Sequence, residues 1–161
     1  MWRGQCLDAF CTVERHVSLA LVSVRAELAY RKVKLTPPHL FGQKLENLRL
    51  LCQSEGRLKQ RPTLLEALDS FCEYLELRAH VCHGALTITI GADGEPYYLF
   101  SLTHLTKKTS HESTLAISKT AAKRVRQSLA IAASNLTNEL DAVTAPDQAG
   151  QSPPVPVSIP C

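Results

Sequence analysis

Apolar residues recur in steps of three and four over much of the chain and in steps of two over one short stretch, and these two periods predict the elements. From about Cys6 to Arg31 the apolar positions Val13, Val17, Ala20, Leu21, Val24 and Leu28 share one helical face, with Glu14, Arg15, Arg25 and Arg31 elsewhere. A second helix opens in "LTPPHLFGQKLENLRLLC", where Thr36 suits the N-cap, Pro37 the first helical position, and Leu45, Leu48, Leu51 and Cys52 the inner stripe. The third begins at "RPTLLEAL", where Thr63 and Glu66 have the spacing of a capping box. Its stripe is Leu64, Leu68, Phe71, Cys72, Leu75 and Cys82, and Gly84 is expected as a left-handed stop. "ALTITI" and "EPYYLF" alternate in twos about "GADG" and predict a hairpin. A final helix over about Ser113–Val143 carries Ala122, Val125, Leu129, Ala132, Leu136 and Leu140 on one side. The fold class expected is all-α, a four-helix bundle with a short β-hairpin inserted between the third and fourth helices.

Beyond this domain, residues 1–143, the stretch 144–161 has four prolines in its last nine residues and no periodicity, which predicts a disordered tail. The longest apolar run, Val17–Val24, is far short of the ~20 residues a membrane span needs, and it lacks the flanks of a signal peptide. A cytoplasmic protein without membrane partners is expected. The 161 residues suffice for one domain with a sizeable core, and 45% apolar with 20% charged residues is ordinary globular composition. A net charge of +3 does not by itself predict a nucleic-acid binder. The six cysteines sit mostly inside apolar periodic runs, as reduced, buried thiols do.

The third helix ends in "ELRAHVCHGAL", in which four residues separate Arg78 from His83 and Gly84 follows at once. An R-x-x-x-x-H at the end of the third helix of a bundle resembles the HEPN superfamily, over the helical portion from about Cys6 to Val143. Arg78, His83 and Gly84 match its motif directly. The family usually places Asn, Asp or His after the arginine; here Ala79 stands there, and His80 follows it.

That resemblance implies metal-independent RNA cleavage, in which the ribose 2′-hydroxyl attacks the adjacent phosphate and leaves a 2′,3′-cyclic phosphate and a 5′-hydroxyl. The residue types suit it. A histidine titrates near ~6.5 and exchanges protons at neutral pH. A guanidinium keeps its charge and offers phosphate a planar fork of donors. The candidate catalytic residues are therefore Arg78, His83 and, as a helper, His80. Five residues of an ideal helix turn through about 140°, so the pair shares one face only if the last turn loosens, or the site is composed across two chains. The resemblance implies the second, a homodimer about this helix, in proteins that act as toxins or in phage defence beside an antitoxin. The alternative reading is a catalytically silent helical domain that binds a protein or a nucleotide.

Lys119, Lys123, Arg124 and Arg126 on the final helix, after Lys107 and Lys108, are candidates for the RNA backbone or else a solvated face. No cofactor is expected, and no metal. "HVCH" contains zinc-type ligands, but no second pair lies at conventional spacing, and "CLDAFC" joins it only if the first helix docks beside the third. Tyr97 and Tyr98 point to opposite faces of the hairpin, one expected on the bundle and one outward. His16, His39, His104 and His111 show no pattern, and Glu76 reads as a solvated flank. No phosphate loop, G-x-S-x-G elbow or H-E-x-x-H occurs.

Overall fold

The computed structural model describes residues 2–30, 40–53, 58, 61–105 and 109–145. Five helices and one sheet form among them: α1 (Trp2–Tyr30), α2 (Phe41–Gln53), α3 (Pro62–Cys72), α4 (Leu75–His83), β1 (Ala85–Ile90), β2 (Pro96–Leu105), β3 (Ser110–Ser118) and α5 (Lys119–Thr144). The strands run antiparallel in the order β1-β2-β3. No helix of the described residues is long and apolar enough to cross a membrane.

An all-α four-helix bundle with a hairpin insert is therefore not the architecture, and the departures lie in two places. The stretch expected as one third helix breaks at Glu73 and Tyr74, where Tyr74 N–H bonds the carbonyl of Phe71, three residues back, before Arg78 N–H resumes the ladder to Tyr74. This tightening rotates the inner face. Leu64, Leu68 and Phe71 are buried on α3 as the stripe predicts, but α4 buries Leu77, His80 and Val81, while Leu75 and Cys82 are only half-buried. In the second place, Ser113 to Ser118 is strand, paired to β2 in the register Ser101↔Thr114 to Tyr97↔Ser118. The final helix starts only at Lys119. Ser118 is at once the end of β3 and the N-cap of α5, and its Oγ accepts the Ala121 N–H at 3.1 Å.

The local starts and stops also differ from expectation. α3 begins behind Arg61 with Pro62 in its first turn and no side-chain cap, so the Thr63–Glu66 box does not form. Gly84 has φ −75° and ψ 144°, an extended conformation open to any residue. It is required for space: a Cβ there would drive into the His80 carbonyl oxygen and crowd Phe100 Cβ. The left-handed glycine is Gly94, φ +75°, in the β1–β2 turn. The Thr36 and Pro37 signals, His39, Lys107, Lys108 and residues 146–161 of the expected tail lie outside the described residues.

The core runs the length of α1 and α5. Cys6, Phe10, Val13, Val17 and Ala20 of α1 meet Ala122, Leu129, Ala133, Leu136 and Leu140 of α5 in one cluster. Phe71 of α3 packs edge-on to both Phe10 and Phe41, at centroid distances of 6.0 and 6.2 Å. The sheet lays one face on the helix ends: Phe100 is fully buried, and Tyr98 stacks on Trp2 at 5.7 Å with 7° between the planes. Tyr97 points to the other face and donates to Asp93.

Candidate active site

α4 connects the bundle to the sheet, and its three candidate residues leave it in different directions. Arg78 faces α1 and α2. Its guanidinium carbon lies 4.6 Å from the centroid of Phe41, a cation–π contact, and its Nη2 stands 3.4 Å from Glu14 Oε2. The same carboxylate takes a shorter bond, 2.9 Å, from Lys44 Nζ. Two cations thus share one anion, and the Arg78 Nε is buried with no hydrogen-bond partner among the described residues. The guanidinium is held in place yet incompletely neutralised, the condition of a group that can receive a phosphate oxygen.

His80 turns the other way, onto the inner face of the sheet, and is 2% exposed. Its Nδ1 donates to the Glu76 carbonyl at 3.0 Å, and its Nε2 shares a hydrogen bond of 3.0 Å with Ser113 Oγ. Ser113 Oγ in turn accepts from His104 Nε2 at 2.9 Å, and the His104 ring stacks on His111 at 4.8 Å. His80 thus ties α4 to β3 and is sealed from any substrate in this chain. His104 and His111, silent in the sequence, meet because Thr103↔Glu112 pairing sets them opposite each other on neighbouring strands.

His83 is exposed at the last position of α4. The helix stays regular to that point, with Gly84 N–H on His80 O at 2.8 Å. The last turn therefore does not loosen, and Arg78 and His83 stand about 140° apart around the axis. The carbonyls left open at this end are taken by a residue that sequence reasoning missed. Arg3 Nε donates to Val81 O at 2.8 Å and its Nη2 to Gly84 O at 3.3 Å. Glu14, the anchor of Arg78, was missed as well. Neither carries a local signal, because each acts at a sequence separation of more than sixty residues.

On the flank of α4 toward α1 lies Cys82, whose thiol is pushed up by burial, with Arg78 and Arg3 pulling it down and Cys11 and Glu14 adding to the rise. The "HVCH" ligands diverge, His80 to the sheet and His83 to solvent, and no group of three metal-type side chains gathers among the described residues. Of the basic candidates on α5, Lys119, Lys123 and Arg124 are exposed, and Arg126 bonds Gln5 Oε1 of α1 at 2.9 Å. Lys119, Lys123 and Arg126 recur at helical spacing along one side of α5, with Arg124 about 100–160° around the helix from them. Two open grooves among the described residues, one between α3 and α5 and one on the outer face of the hairpin, are lined without Arg78, His80 or His83. No known protein family, curated protein or solved structure matches the chain.

Proposed function

We propose that this protein is a metal-independent endoribonuclease of the HEPN kind, acting in the cytoplasm as a homodimer of the toxin or phage-defence type. What carries the reading is α4: a guanidinium fixed but only partly neutralised, and an exposed imidazole five residues on. Arg78 binds the scissile phosphate and stabilises the charge that builds on its oxygens. His83 takes the proton of the attacking 2′-hydroxyl or returns one to the leaving 5′-oxygen. Because the two lie on different sides of a regular helix, the competent cleft takes Arg78 from one copy and His83 from the other, with the α4 helices side by side. Lys119, Lys123 and Arg124 receive the flanking backbone, a contact that weakens as salt rises. His80 has no catalytic part in this scheme. It holds α4 on the sheet.

A second reading has its own observation. Arg78 already has a carboxylate and an aromatic ring as partners, and Ala79 supplies no polar group to orient it. On that reading the domain is catalytically silent and binds a protein partner or nucleotide.

The deciding experiment is incubation of the purified protein with labelled total RNA in EDTA, beside a His83→Ala control. EDTA-resistant cleavage ending in 2′,3′-cyclic phosphate, reduced about 100-fold or more in the variant, is expected of a proton-transfer residue. Intact RNA over a range of substrates assigns the chain to the silent reading.

A further inference from the structure

Among the described residues β1 is an edge strand, and the side it turns away from β2 has a definite chemistry. The hydrogen bond from Gly91 N–H to Glu95 O, 2.9 Å, fixes the phase of the β1–β2 ladder. With the register Ala85↔Ser101 to Ile90↔Pro96, the odd-numbered residues Ala85, Thr87 and Thr89 spend their backbone groups on β2. Leu86, Ile88 and Ile90 turn theirs outward. The same three residues put their side chains on the inner face of the sheet, Leu86 opposite Phe100 and Ile88 opposite Tyr98. On β2 that face is covered by Trp2. On β1 it overhangs the helices, and Leu86, Ile88 and Ile90 are 37%, 61% and 65% exposed. Natural edge strands are commonly guarded by a charge, a proline or a bulge. Ala85–Ile90, "ALTITI", has neither charge nor proline, and its pairing with β2 runs without a bulge.

We propose that β1 pairs antiparallel with β1 of a second copy about a two-fold axis at Ile88, joining two three-stranded sheets into one of six. In this register Leu86 faces Ile90 of the second copy, Ile88 faces its own counterpart, and Ile90 faces Leu86. Each of these pairs exchanges both of its backbone bonds, since the outward groups belong to these residues. A two-fold at Ile88 sets even positions against even positions, so the apolar overhangs fuse into one row on a single face. Thr87 and Thr89 pair across the other face. The strand's lack of charge also fits it to its own copy, because a symmetric pairing doubles any like-charge repulsion. A foreign strand would have to supply a matching aliphatic row; a second copy has it by identity.

This surface is distinct from the α4 face used in the proposed nuclease, and its test is read separately. The full-length protein and Ile88→Lys are compared by light scattering after gel filtration and by amide hydrogen exchange, with circular dichroism to show that both are folded. In the expected result the substitution lowers the mass by half or more. The Leu86 and Ile90 amides are protected in the parent and exchange freely in the variant. Equal masses, together with Leu86 and Ile90 amides that exchange freely in the parent, overturn the proposal. That outcome leaves β1 as an open edge for a strand from another protein. His83→Ala, an exposed substitution at the end of α4, should leave the amide pattern unchanged whether or not the protein cleaves RNA.

Discussion

At the scale of single residues, the cysteines show how burial decides reactivity. Cys6 and Cys52 lie in the core, and burial pushes both thiols up to about 11 from an ordinary 9.0; Arg126 moderates the first and Asp69 adds to the second. A folded-state pKa above the unfolded one means that the native protein holds its protons longer. The contribution is fully present below pH 9 and lost as pH rises through about 11. Urea unfolding from pH 8 to 11 should therefore show stability falling across that window, by about 1.4 kcal/mol per pH unit for each thiol still protonated only in the fold. Exposed Cys11 should react with a thiol reagent in the native state, while Cys6 and Cys52 wait for unfolding. Gly84 teaches a related lesson. Its position after His83 was legible, but the reason for it, the closeness of the His80 carbonyl, belongs to the packed structure.

At the scale of elements, α4 is short, and nine residues are too few to be helical on their own strength. It is held from outside by Arg3 at its last carbonyls, by Glu14 on Arg78, and by Ser113 on His80. Removing the forked cap with Arg3→Ala should cost about 1–3 kcal/mol in urea denaturation, with Arg3→Lys recovering only part, because an ammonium cannot bond both carbonyls in a plane. The helices α1, α2 and α5 were legible because their stripes are long and set by burial on neighbours of the same kind. β1, β2 and their turn were legible from the alternation about "GADG". β3 was not. "SHESTLAIS" alternates only at Leu115 and Ile117, then runs into α5 without a loop, so the helical period extends backward over it. The break between α3 and α4 contains neither glycine nor proline, so nothing local marks it.

At the scale of the whole molecule, the candidate site was legible as a motif and illegible as a geometry. The spacing of Arg78, His83 and Gly84 is written in the chain, whereas the inward turn of His80 follows from a face rotated two turns earlier. The nuclease reading has a cellular consequence. Expression of the intact chain should slow growth, and Arg78→Ala or His83→Ala should each relieve it; equal growth inhibition by all three, measured in liquid culture at matched protein levels, would rule out catalysis through these residues.

The first turn of α1 also bears on the order in which the molecule is made. Trp2 donates its indole N–H to the carbonyl of Ala122 and stacks on Tyr98, and Arg3 waits for Val81 and Gly84. These two residues of α1 thus bond to partners synthesised up to 120 positions later. Closing loops of that size is slow relative to local helix formation. This turn of α1 therefore completes its bonding in stages: Arg3 and the Trp2 ring find their partners on α4 and β2 first, and the Trp2 indole N–H finds the Ala122 carbonyl only once α5 has been made.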